Sequence, residues 1–250
     1  MTLWTPPKPT ISRYDQIMAY NLKKNLVGYW PLDEASGTRR DHSGLGNDLT
    51  DNATVTGNPG PSIWLPLASQ FTVANLEYLS IADNASLRSP ANVTWWGWAY
   101  WNGGNTRNMM SKFTTGGNQR EWNLTFYTGT DRLLLEYSSD GIATTNMDAG
   151  GFVPSTSTWI FWCFWTDSAA ATINFQVNNG AIGSNAFTGP LFAGTAPFVV
   201  GALNAGALWL FDGRVAGIGK RNSLTTPQER TWLYNRGDGR AYGQHLRLAA

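Results

Sequence analysis

The sequence predicts an all-β protein: a single antiparallel β-sandwich with one short C-terminal helix and an extended N-terminal arm. Three observations predict it. Short runs rich in β-branched and aromatic residues recur about every ten residues, separated by Gly, Asn, Asp and Ser. Glycine supplies 27 of the 250 residues, as a fold with many tight turns requires. Charged residues make up 14% of the chain, and 13 Trp, 11 Phe and 9 Tyr stand where Lys and Glu usually do.

A sandwich of 250 residues fits one domain, and a core of that size needs no disulfide. The single Cys163 excludes an internal disulfide and a zinc site made of several cysteines. A net charge of +1 leaves no basic field for a phosphate backbone, so no nucleic-acid partner is expected. There is no apolar run of about 20 residues, so no membrane insertion is expected. Few charges beside much aromatic surface favour self-association. The start, MTLWTPPKPTISRYDQ, lacks the apolar core of a signal peptide. The Asn-x-Ser/Thr sequons at Asn52, Asn84, Asn92 and Asn123 are therefore read as chance matches.

Residues 1–25 read as an arm. Pro6, Pro7 and Pro9 keep its start extended, and 11–22 suit a short helix with Ile11, Tyr14, Met18 and Leu22 on one face. A disordered leader is the alternative; as a docking arm the segment would use Trp4, Pro6, Pro7, Ile11 and Tyr14. LVGYWPL is the first expected strand, followed by the polar loop DEASGTRRDHSGLGND. Further strand-like runs are QFTVANLEYLSI, VTWWGWAYW, MMSKF, EWNLTFYT, LLLEYS, WIFWCFWTD, INFQVNN, PFVVGAL and ALWLFDGRVAGIGK. Asp131, Ser139-Asp140-Gly141 and Asn178-Asn179-Gly180 mark turns. TPQERTWLYNR reads as a helix with Thr226 and Glu229 as a capping box, Pro227 at its first position, and Gly237 as its stop. That role for Gly237 also accounts for the Arg236-Gly237-Asp238 triplet better than cell adhesion does.

Several of these segments resemble laminin G-like jelly-roll domains of the concanavalin A superfamily. LVGYWPLDEASGTRRDHSGLGNDLT is similar to the family's opening, where a strand ending in an acidic pair meets a D-x-SG-x-GN loop. QFTVANLEYLSIADNASL, VTWWGWAYW, TWIFWCFWTD and FDGRVAGIGKRNSLTTPQERTWLYNRGDG resemble its later strands and its closing helix, in the family's order. The resemblance covers residues 26–243 and leaves 244–250 as a tail. It implies the sandwich fold but spans adhesion proteins, carbohydrate-binding appendages, glycosidase accessory modules and phage virion proteins, so it does not select a function.

A retaining glycosidase needs two carboxylates roughly 5–5.5 Å apart, which on a strand means acidic residues two apart. Glu77, Glu121 and Glu136 each lack such a partner, and Asp33 and Glu34 are adjacent. His42 and His245 are the only histidines and no nucleophile elbow accompanies them. Cys163, inside an aromatic strand, reads as a buried inert thiol. The chain therefore reads as a non-enzyme.

Two binding features remain. The loop with Asp33, Glu34, Asp41, Asn47 and Asp48 offers oxygens of the kind calcium takes. The resemblance implies calcium near that loop and near Asp212, which makes Asp33, Asp41, Asn47 and Asp212 the candidate ligands, although Gly213 stands where many relatives carry a second acid. The second feature is aromatic. VTWWGWAYW and WIFWCFWTD carry large apolar residues on both faces, with Trp96, Trp98, Tyr100, Phe161 and Trp165 on the second. A sheet with a wet face should alternate apolar and polar, so that second face needs cover. Loops, the arm or the terminal helix could provide it from within; a subunit interface or a stacked sugar could provide it from outside.

The leading expectation is a non-catalytic decoration or adhesion protein on a virion surface, a phage head or tail component. It would form a homo-oligomer, with a trimer the favoured number, and dock on capsid or tail proteins through its arm. A stand-alone extracellular carbohydrate-binding lectin is the alternative, and a glycoside hydrolase the third. The first two are compatible, since a virion decoration can also bind glycans.

Overall fold

A computed structural model of the chain describes residues 12–130, 132–206 and 208–240. It is an antiparallel sandwich of two sheets with two α-helices on one outer face. In chain order the elements are α1 (Arg13–Lys23), β1 (Leu26–Trp30), β2 (Thr50–Asn52), β3 (Thr56–Ser62), β4 (Leu65–Phe71), β5 (Tyr78–Ile81), β6 (Val93–Trp101), β7 (Arg107–Thr114), β8 (Gln119–Tyr127), β9 (Arg132–Tyr137), β10 (Thr145–Asp148), β11 (Trp159–Asp167), β12 (Thr172–Val177), β13 (Ile182–Ala186), β14 (Phe198–Val200), β15 (Gly213–Arg221) and α2 (Pro227–Tyr234). One sheet runs β13-β12-β11-β6-β15-β4-β3, with β1 also paired to β15; the other runs β10-β9-β8-β7-β14-β5-β2.

The inner faces meet in an aromatic core. Trp95 and Ala99 of β6, Trp162 and Phe164 of β11, Trp122 and Phe126 of β8 and Phe198 of β14 are buried there. Trp95 crosses between the sheets to Trp122, with ring centroids 4.7 Å apart. Each such ring removes a large apolar area from water, and that burial is the main force holding the sheets together.

The outer face of β6 and β11 forms a second core. Trp96, Trp98, Phe161, Cys163 and Trp165 lie under Ala19 and Leu22 of α1 and Trp232 and Leu233 of α2. Gly219 of β15 makes room for the neighbouring indole: a Cβ there would stand 2.0 Å from Cζ2 of Trp96. Polar contacts hold the helices down. The Trp232 indole N–H donates to Asp15 at 2.8 Å. The Arg230 guanidinium lies 4.0 Å from the centroid of Trp165, and Arg221 pairs with Glu229 at 3.1 Å.

The expected aromatic ligand face is thus corrected. Trp96, Trp98, Phe161 and Trp165 are 2%, 2%, 1% and 7% exposed because the two helices cover them. Tyr100 is half-buried at the end of that face, with the Arg214 guanidinium 4.4 Å from its ring centroid. The arm expectation changes too. Trp4, Pro6, Pro7 and Ile11 lie outside the described residues, but residues 13–23 form a helix packed on the sandwich. Ser12 caps that helix by accepting from the Asp15 amide at 3.1 Å. Its packed face carries Asp15, Met18, Ala19 and Leu22, so Tyr14 points away and is 52% exposed.

α2 carries the expected capping box. It ends at Tyr234 rather than at Gly237, because Asn235 takes the left-handed conformation. The expected run over 70–81 is split by a turn at Val73–Asn75 and left-handed Leu76, which separates β4 from β5. Asn178 and Asn179, both at positive φ, make the expected hairpin turn; Asp131 lies outside the described residues.

A buried charge cluster sits where β7, β8 and β15 approach. Lys112 and Glu121, both fully buried, are 3.4 Å apart, and Lys112 also reaches Asp83 at 2.8 Å. Buried Lys220 donates to the carbonyls of Ser86 and Arg88 and to the Asn222 side chain. Burial pushes the Glu121 carboxyl up to about 7 against the opposing pull of Lys112, and pushes Lys220 down to about 7.

Trp232→Ala uncovers the second core and is expected to lower the unfolding free energy by about 3–5 kcal/mol in urea titrations; a loss under 1 kcal/mol (~) would show that α2 is not a structural cover. A second expectation concerns pH. A carboxyl raised on folding favours the folded state fully below its unfolded value of 4.5 and loses that contribution as pH climbs through about 7. The stability advantage of the native chain over Glu121→Gln should therefore shrink between those two values, measured by urea unfolding across that range; a pH-independent difference contradicts this.

Candidate functional site

At one side of the sandwich the edge strand β10 of one sheet faces the edge strand β13 of the other. At one end these edges touch: a Cβ on Gly183 would lie 2.0 Å from the carbonyl oxygen of Asp148, so this approach requires glycine. Toward the other end they splay and leave a cleft of about 390 Å³ lined by Tyr137, Ser138, Ser139, Asp140, Ala143, Thr145, Asn185, Ala186 and Phe187.

One wall is the turn after β9. The Ser138 hydroxyl accepts from the Gly141 amide at 2.9 Å and donates to Asp140 Oδ1 at 3.0 Å. That same oxygen accepts from the amides of Ile142 and Ala143 at 2.8 and 2.9 Å. These backbone donors hold the Asp140 carboxyl below the usual carboxylate range, so it is ionised near neutral pH. Arg120 braces the turn by donating to the carbonyls of Gly141 and Ile142 and to the Asn118 side chain. The wall is therefore set before any ligand arrives, which lowers the ordering cost of binding.

The opposite wall comes from β13 and the residue after it. Asn185 donates its side-chain amide to the Tyr137 hydroxyl at 3.1 Å. Phe187, half-buried, meets Tyr137 edge-on with centroids 5.4 Å apart. The cleft therefore offers an aromatic ring, a phenol, hydroxyls, an amide and one carboxylate. Such a mixture of a hydrophobic wall and a few placed polar groups is what small-ligand sites use.

The other sequence candidates fall elsewhere. Asp41 accepts from the amides of Tyr29, Ser43 and Asn47 and from the Ser43 hydroxyl. Asp48 accepts from the Asp41 amide at 2.8 Å and from Arg40 at 2.6 Å, and the Asp41 amide is the main cause of its lowered pKa. The Asn47 side chain donates to the Val27 carbonyl and to Ser86, and the Asn47 backbone carbonyl accepts from the Trp30 indole. Asp212 accepts from Asn102 at 2.8 Å, and Asp33 is exposed. Among the described residues no three His, Cys, Asp or Glu side chains converge. The expected calcium set does not converge on one site: Asp41 and Asn47 already hold N–H and O–H donors that a cation would have to displace, Asp212 is bonded to Asn102, and Asp33 is exposed. Asp41, Asn47 and Asp212 are corrected to residues that hold their loops.

The single acids are placed apart from one another's chemistry. Glu77 accepts from the Thr72 amide and the Asn75 side chain. Glu136 accepts from Asn123 at 2.7 Å. Burial pushes the Cys163 thiol up to about 12, which makes it a poor nucleophile. Among the described residues no helix is long and apolar enough to cross a membrane.

The cleft itself escapes sequence reading. Ser139-Asp140-Gly141 is visible as a turn, but TNMD of β10 and IGSNA of β13 carry no strand signal.

No family model and no curated protein matches the sequence. Solved structures do match. The binding domain of Paraclostridial Mosquitocidal Protein 1 superposes with a TM-score of 0.67 at 12% identity, over 86% of this chain and 52% of that one. A botulinum neurotoxin type C structure, for which entering cells depends on interaction with two ganglioside molecules, gives 0.64 at 8% identity over 86% and 52%. Domain 4 of AbnA, a GH43 extracellular arabinanase from Geobacillus stearothermophilus in complex with arabinotriose, gives 0.58 at 15% identity over 83% and 97%. The chain spans about half the length of the toxin binding domains it matches. At these identities the likeness bears on the fold alone, and that fold is the expected antiparallel β-sandwich.

Because Asp41 and Asp48 already hold N–H and O–H donors, neither millimolar calcium nor a chelator should move the thermal midpoint. A rise of several degrees with calcium would restore the metal site.

Proposed function

We propose that the chain is a non-catalytic carbohydrate-binding module whose site is the cleft between β10 and β13. The observation that carries the reading is the joining of the Phe187 ring with Tyr137, Asn185, Asp140 and Thr145 in one partly open, pre-braced cleft. A sugar ring has an apolar face that stacks on an aromatic ring and a rim of hydroxyls that both donate and accept. The AbnA domain solved with arabinotriose supports the reading as a sandwich of the same fold that holds a saccharide.

A second reading places this module on a virion, docked through its N-terminal segment. One observation favours it: α1 leaves Tyr14, Ile17 and Tyr20 exposed at 52%, 47% and 58% on its side away from the sandwich. Apolar side chains grouped in this way suit a protein contact. A homo-oligomer, a trimer included, belongs with this reading and would use the same helix rather than the covered faces of β6 and β11. Changing all three residues to Ser or Gln should abolish any self-association seen by sedimentation, and a monomer at high concentration with no affinity for particles would remove this reading.

For the cleft, Phe187→Ala and Asn185→Ala should each weaken binding to the best saccharide on a glycan array at least tenfold (about 1.4 kcal/mol) while the thermal midpoint stays within a few degrees. Undiminished binding in both variants places the site elsewhere.

A further inference from the structure

The charge inventory of the cleft narrows the class of saccharide. Its lining holds one carboxylate, Asp140, and no Lys, Arg or His. The cation attached to this turn, Arg120, is already engaged with the carbonyls of Gly141 and Ile142 and with Asn118. An anionic sugar would therefore meet a fixed like charge without a matching donor fork.

The free hydrogen-bonding capacity points the same way. Asp140 spends Oδ1 on the Ser138 hydroxyl and two amides, and its Oδ2 has no partner among the described residues. Asn185 donates to Tyr137, and its carbonyl oxygen is likewise without a partner among the described residues. These are two acceptors awaiting hydroxyl donors. The Tyr137 hydroxyl, already accepting from Asn185, keeps its own proton to give. Neutral sugar hydroxyls satisfy both kinds of group, whereas a carboxylate on the sugar brings acceptors alone.

We propose that the cleft takes uncharged saccharides and rejects anionic ones, with Asp140 as the specificity-determining residue. This rests on the carbohydrate reading of the same cleft. The negative charge discriminates, and the two free acceptors bind the hydroxyls of the accepted ligand.

The test is an array that carries each glycan core both uncapped and capped with sialic acid, probed with the native protein, Phe187→Ala and Ser139→Lys. Ser139 is an exposed lining residue, so lysine there adds a cation to the rim. The native protein should bind at least one uncapped core and bind its sialylated form at least tenfold more weakly. Phe187→Ala should lose the uncapped core, and Ser139→Lys should narrow the ratio. Equal or tighter binding of sialylated forms, still lost in Phe187→Ala, overturns the selectivity but leaves the cleft reading standing. An unchanged ratio in Ser139→Lys overturns its electrostatic basis. Binding to no glycan, or binding untouched by Phe187→Ala, overturns both.

Discussion

Two neighbouring strands, β6 and β11, are apolar on both faces, and the rest of the molecule is arranged to satisfy that. A two-layer sandwich buries one face of each sheet; here the central strands of one sheet demand a third layer. α1 and α2 provide it, laying Ala19, Leu22, Trp232 and Leu233 over Trp96, Trp98, Phe161 and Trp165. The Asp15–Trp232 hydrogen bond ties the first helix to the last across most of the sequence. The N-terminal segment from Ser12 onward is thereby part of the folded body, and the outer aromatic face is structural rather than receptive.

With that face closed, chemistry is left to the sandwich edges. An edge strand exposes unpaired backbone groups, which proteins must blunt or use. β3 is blunted by Pro59 and Pro61. On the opposite side, Gly183 lets β13 press against β10 at one end, and the Ser138–Ala143 turn lines the cleft at the other. Asp140 has two parts to play under the proposed function: one carboxylate oxygen builds the turn, and the residue also lines the cleft.

The legible parts of the sequence were those whose signal is local and strong. β6 and β11 coincide with VTWWGWAYW and WIFWCFWTD, because nine consecutive residues rich in aromatic and β-branched side chains suit little else. The capping box of α2 was legible for the same reason, since Thr226, Pro227 and Glu229 lie within one turn. β2, β3, β10 and β13 were not, because TDN, TGNPGPS, TNMD and IGSNA become strands through their partners rather than their propensity. The loop of Asp41 and Asp48 looked like a calcium site because carboxylates that cap backbone amides and carboxylates that hold a cation are the same residue type; the amides of Tyr29 and Asn47 decide between them. That the outer aromatics needed cover was legible, and which element supplies it was not, since nothing in the spacing of residues 13–23 says where that helix lands.

The aromatic strands are closed from within, and under the proposed function the receptive surface is the splayed edge. Amide hydrogen exchange of the native protein with and without its best-bound saccharide tests it most directly. Exchange is expected to be slow across β6 and β11 in both states, with added protection on ligand binding confined to residues 137–145 and 183–187. Added protection in α1, α2, β6 or β11, with none at the edge, would contradict it.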